Sequence, residues 1–114
     1  MNSGPIDTQS APSTDPVARA FAQRLRHRLG GRVREVRLFG SRARGDARES
    51  SDYDMLVVVD QRTPEIRSEI LDIEVDLLDE YDVLVTSVLR SEAEWRASEN
   101  HPFARNIARE GVAL

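Results

Sequence analysis

The chain has 114 residues, of which 39% are apolar and 32% charged, with a formal net charge of −4 and no cysteine. This is the composition of one small globular domain with room for a single core. It excludes a disulfide framework or thiolate metal site, and it lacks both the basic surplus of a bulk nucleic-acid binder and an apolar run of transmembrane length. The first residues carry no basic region followed by an apolar block, so no signal peptide is read. The missing cysteine fits a reducing cytoplasm, which is the expected location.

Residues 1–14 are rich in Ser, Pro, Thr and Gly and have little to bury, which predicts a disordered tail ahead of a domain over residues 15–114. Asp15-Pro16 opens the first helix as N-cap and first turn. Val17, Phe21, Leu25 and Leu29 make its apolar stripe, and Gly30-Gly31 ends it. Val33 to Phe39 reads as a strand with imperfect alternation. Gly40-Ser41 then turns the chain into a short helical piece, Arg42 to Ala47. Tyr53 to Val59 is continuously apolar apart from Asp54, the pattern of a strand buried on both faces.

Thr63-Pro64 begins a second amphipathic helix on Ile66, Ile70, Ile73 and Leu77, expected to stop near Glu80. Tyr81 to Thr86 reads as a third strand with Asp82 near its start. Ser91 and Glu94 form a capping box for a helix carrying Trp95. Pro102 starts a last short helix that Gly111 stops. His27, Asp60 and His101 read as surface residues, and Trp95 and Phe103 as core.

Two stretches carry chemistry. A glycine at a strand end, as at Gly40, lets backbone approach a ligand closely, and free N–H groups at the following turn favour phosphate. Asp52 and Asp54, at i and i+2 entering a strand, point to one face and can hold a hard cation such as Mg²⁺ through oxygen. Asp54 precedes five apolar residues, so its carboxylate needs a partner, and a metal ion is a good one. A phosphate cradle beside a metal pair points to nucleotide chemistry. All sixteen basic residues are arginines, which reads as codon bias rather than selection for phosphate.

Gly40-Ser41-x-Ala43-Arg44-Gly45 followed by Ser51-Asp52-x-Asp54 resembles the signature of the minimal nucleotidyltransferases of the DNA polymerase β-like superfamily. The likeness runs from about Val17 to the C-terminus, through Glu80-Tyr81-Asp82 and the ending Asn106-Ile107-x-x-Glu110-Gly111. It implies an α/β fold, a small mixed β-sheet with helices packed on it. It also implies a two-metal Mg²⁺ site on Asp52, Asp54 and Asp82, with Asp82 as general base in the third strand. Gly40, Ser41 and Arg44 would bind the nucleotide, expected to be ATP. Minimal members resemble the antitoxin half of pairs whose partner is a HEPN-type toxin ribonuclease. The acceptor would then be a toxin hydroxyl, in a homo- or hetero-oligomer. The alternatives are modification of a small molecule, as by aminoglycoside adenylyltransferases, and an antitoxin that acts by binding alone.

Overall fold

The structure, a computed structural model, describes residues 15–45 and 52–114. The expected tail over residues 1–14 and the polar turn over 46–51, with Ser51 and Ala47, lie outside the described residues.

Helix α1, Pro16–Leu29, starts where Asp15 Oδ1 accepts from the amides of Val17 and Ala18. It ends at Gly30, whose φ of 57° follows the helix into a single 3-10 turn. Strand β1, Val33–Phe39, runs antiparallel to β2, Tyr53–Val59. Their register slips between Val33 and Glu35, which is why the alternation of β1 changes phase there. Helix α2, Ser41–Arg44, is one turn.

Helix α3, Pro64–Tyr81, is the crossover that brings β3, Val85–Ser91, parallel to β2. The short α4, Glu92–Ala97, has the expected capping box. Helix α5, Pro102–Glu110, leads to a two-residue β4, Val112–Ala113, against β1. The sheet order is β3-β2-β1-β4, which is the mixed α/β sheet expected from the sequence.

Strand β2 is buried along its length because both faces are covered. Met55, Val57 and Val59 face α1 and α3, in a core with Phe21, Leu25, Ile70, Ile73 and Leu77. Leu56 and Val58 face the other way, against Ile107, Trp95 and Phe39. Asp54 shares the phase of Leu56 and Val58, so it belongs to the second face.

Helix α3 carries a second apolar stripe that the other described residues leave exposed. Leu71, Val75 and Leu78 recur at spacings of four and three and are exposed, Val75 by 62%. Tyr81 and Leu84 extend the patch. Among the described residues these five and Phe103 are the exposed large hydrophobic side chains.

Candidate active site

The strand-to-helix turn at Gly40 and the start of β2 meet across the β1–β2 ladder, where Phe39 pairs with Asp54. Gly40 has φ 75° and ψ −157°, a conformation that L side chains rarely adopt. A Cβ built on it would overlap Asp54 Oδ2. The glycine therefore lets the carboxylate lie directly against the turn backbone.

Asp54 is half-buried and Asp52, just ahead of the strand, is exposed. Loss of solvent raises the Asp54 carboxyl above its ordinary pKa, and the Asp52 charge raises it further. The positive charge of Arg44 opposes both. The two carboxylates thus feel one another and Arg44 faces them, as a phosphate–cation site requires. Ser41 begins α2 and is half-buried. Arg44 ends that helix, 3.5 Å from Glu110 of α5. Arg42 turns the other way and stacks over the Tyr53 ring, 4.2 Å from its centroid. The Tyr53 hydroxyl donates to Asp15 Oδ2 at 2.9 Å, and burial first, then Asp15, pushes its pKa up to about 12.

The nucleotidyltransferase domain profile matches residues 18–114. The chain belongs to the nucleotidyltransferase family. A protein of Methanocaldococcus jannaschii, provisionally named a protein adenylyltransferase, is 34% identical over 100 residues, spanning 88% of this chain and 96% of that one. In fold the chain is similar to a crystal structure of a toxin–antitoxin pair with AMP-PNP, at TM-score 0.57 and 19% identity, covering 82% of this chain and 68% of that one. It is also similar to a mutant form of the MntA–HpeT toxin–antitoxin pair, at TM-score 0.55 and 16% identity, covering 81% and 67% of the two chains. At these identities the structural likeness concerns the fold. The chain is a nucleotidyltransferase.

One expectation changes. Asp82 is not on a strand of this nucleotidyltransferase. It caps α3 in the left-handed region, φ 57° and ψ 39°, exposed, with its amide donating to the Leu78 carbonyl at 2.9 Å. The apolar stripe of α3 carries the helix on to Tyr81, and Asp is one of the few non-glycine residues that tolerate the left-handed stop. The strand begins at Val85, and the residue beside Asp54 on β3 is Thr86. A cross-sheet row Phe39–Asp54–Thr86 results, with no carboxylate in its third place. Among the described residues no group of three or more His, Asp or Glu could together hold a metal ion.

A divalent cation still fits the pair. Mg²⁺ is commonly held by one or two carboxylates, with substrate phosphates and water completing the shell. The like charges of Asp52 and Asp54, one of them short of solvent, are what such a cation relieves.

Phe103, read from the sequence as core, is 40% exposed and meets Phe39 edge-on with ring centroids 5.8 Å apart. Trp95 does pack into the core under Leu56 and Val58. His27 and His101 are exposed as expected, and the His101 ring also accepts from the Phe103 amide at 3.3 Å. Among the described residues no helix is long and apolar enough to cross a membrane.

Proposed function

We propose that the chain transfers AMP from ATP, with Mg²⁺, to a hydroxyl of a partner protein, and that the partner is a HEPN-type toxin ribonuclease which the transfer silences. The observation that carries this reading is the packing of Asp54 against Gly40, with Asp52 and Arg44 alongside. It sets Asp54 against the backbone turn, where a cation held with Asp52 would meet a phosphate chain. Gly40 and Ser41 would receive the terminal phosphates, and Arg44 would neutralise charge on them. Asp52 and Asp54 would hold Mg²⁺, which supplies charge stabilisation at the α-phosphate and at the leaving pyrophosphate. The acceptor oxygen forms its bond to the α-phosphorus as the bond to the pyrophosphate oxygen breaks, and the hydroxyl proton passes to solvent or to the departing pyrophosphate. The product is an AMP diester of the partner.

Two features support a protein acceptor. The relative from Methanocaldococcus jannaschii bears a protein adenylyltransferase name. The uncovered stripe on α3 is the kind of surface a helical partner occupies. The vacant third carboxylate position at Thr86 favours a second reading, neutralisation of the toxin by contact without transfer.

The test incubates chain and partner with Mg²⁺ and ATP labelled at either the α- or the γ-phosphorus. Label from the α-position on the partner is expected, and none from the γ-position. Asp52→Asn with Asp54→Asn should abolish it. Undiminished labelling by that double variant overturns the site. Toxin neutralisation without any label favours the second reading.

A further inference from the structure

Between the end of β1 and α5 lies a cleft of about 240 Å³, walled by Phe39, Gly40 and Arg44 on one side and by Phe103, Asn106 and Glu110 on the other. We propose that this cleft is the base subsite of the nucleotide, taking an adenine ring on the Phe39–Phe103 aromatic pair, with Asn106 reading its edge. The inference rests on the function proposed above and specifies which ring that site accepts and where.

Position comes first. Phe39 lies beside Asp54 in the cross-sheet row, and Gly40 follows it directly in the chain. The cleft thus opens one strand away from the carboxylate pair and one residue from the turn proposed for the phosphates. A nucleotide whose α-phosphate sits over Asp54 can reach it. On the opposite side of Asp54 lie Thr86 and β3, an edge strand of the sheet, which leaves that side for the acceptor.

The chemistry of the walls selects a ring over a phosphate. The one cation of the lining, Arg44, lies 3.5 Å from its one anion, Glu110, so Arg44 meets the phosphates at the mouth while the interior of the cleft is balanced in charge and suits a ring. Its apolar surface comes from Ile107 and from two aromatic side chains at 89° to one another. Phe39 is packed against Leu56 and Val58, and Phe103, edge-on to it, is the ring with surface left for stacking. Phe103 is 40% exposed although a phenylalanine gains most from burial, and a stacked base would cover it.

Asn106 is three residues beyond Phe103 and therefore on the same side of α5. Its Oδ1 accepts from the Arg109 guanidinium at 2.6 Å, which fixes the amide orientation and leaves the NH₂ donors and a second Oδ1 lone pair. An amide offering one donor and one acceptor matches the N7 and exocyclic amine of adenine, and it meets a second acceptor on guanine. The volume is below the roughly 300–1,000 Å³ that encloses a whole drug-sized ligand. It suits one ring system, with ribose and phosphates outside, over Gly40 and Asp54.

The experiment titrates the full chain calorimetrically with Mg·ATP, Mg·GTP and Mg·tripolyphosphate, with thermal melts to establish that each variant folds. Wild type should bind ATP more tightly than GTP, and both more tightly than tripolyphosphate. Phe103→Ala should weaken ATP by roughly 5- to 150-fold, the range of base–aromatic stacking, and leave tripolyphosphate where it was. Phe103→Trp should keep ATP binding. Asn106→Ala should collapse the ATP-to-GTP ratio. If ATP binds wild type no better than tripolyphosphate, or Phe103→Ala binds ATP as wild type does, the base subsite is wrong and the phosphate–metal site stands. If neither ATP nor tripolyphosphate binds, the proposed function and this subsite fall together.

Discussion

Asp54 Oδ2 occupies the space that a side chain on Gly40 would need. The glycine at the end of β1 and the carboxylate at the start of β2 are therefore one feature, although thirteen residues of sequence lie between them. Gly40→Ala must both hold an L side chain at φ 75° and displace the Asp54 carboxylate. Backbone strain of that kind costs about 1–3 kcal/mol. The variant should melt at lower denaturant concentration and should lose Mg·ATP binding. Wild-type nucleotide affinity in a folded Gly40→Ala variant would show that Asp54 is free to move, and that the contact does not set the site.

Asp82→Asn distinguishes the expected third carboxylate from the helix cap that the structure places there. Asn accepts the left-handed conformation as Asp does, so stability should change by no more than about 0.5 kcal/mol. Transfer should proceed at the wild-type rate. Loss of a general base would slow it on the order of a hundredfold or more, and a fall of that size would return Asp82 to the reaction. Single-turnover transfer to the partner is the measurement.

Much of the fold was legible because local signals and tertiary packing agree. The limits of β1 and β2 match the apolar runs, and Asp15, Thr63, Ser91 and Pro102 mark helix starts by capping chemistry alone. The third strand was misplaced because Tyr81-Asp82-Val83-Leu84-Val85 is apolar enough for a strand. What extends the helix is Leu77 and its neighbours packed in the core, a tertiary effect. The Gly40–Asp54 half of the candidate site was visible through its spacing. Phe39, Phe103 and Asn106 were not, because a cleft between β1 and α5 exists only once the sheet brings them together. The i, i+3 spacing of Phe103 and Asn106 on a short helix was the signal available.

Glu94 provides a pH test independent of the site. Its carboxylate accepts from Arg62 Nε at 2.8 Å and Nη2 at 2.7 Å, and from the Ser91 amide in the capping box. The Arg62 hydrogen bond first, then the Ser91 amide, holds its pKa down at about 2 against an ordinary 4.5. The unfolded chain therefore binds the proton more readily than the folded one between those values. The stabilisation is fully present above about pH 4.5 and is lost as pH falls through about 2. Glu94→Gln keeps the cap but removes the charge, so it should melt below wild type at neutral pH, with the gap closing in acid. A gap that stays constant from pH 7 to pH 2 would show that the Arg62 pair contributes nothing in solution.

The stripe on α3 makes the last prediction. Leu71, Val75 and Leu78 lie on another side of α3 from the buried Ile66, Ile70, Ile73 and Leu77, so α3 is apolar on two sides, and among the described residues only one is buried. Between Pro64 and Tyr81 the helix carries seven acidic residues and one arginine. Arg24 and Arg28 of α1 engage Glu80, Glu69, Asp72 and Asp76, whereas Glu74 lies one turn from Leu71 and Leu78, and Asp79 one turn from Val75, along the exposed stripe. Two copies of α3 brought face to face would set acid against acid. Apart from Tyr81 and Leu84 at the end of this helix, the other exposed large hydrophobic among the described residues is Phe103, which lies at the cleft between β1 and α5, away from the stripe. The occupant that fits is an amphipathic helix with a basic rim, and the ribonuclease toxin proposed above as partner would have the charge for one. Val75→Glu with Leu78→Glu should leave the monomer folded but less stable by about 1–2 kcal/mol, since the new carboxylates sit one turn from Asp79 and Glu74 and near the end of the helix. Removal of a central apolar anchor typically costs 2 kcal/mol or more of binding, so affinity for the toxin should fall by about thirtyfold or more. Nucleotide binding should be unchanged. Asp79→Arg should weaken the complex most at low salt, where the rim charges are least screened. Calorimetry with the purified toxin decides the matter: undiminished affinity of the double-Glu variant would place the interface elsewhere, and a concentration-dependent dimer of the chain alone, lost in that variant, would give the face to a second copy.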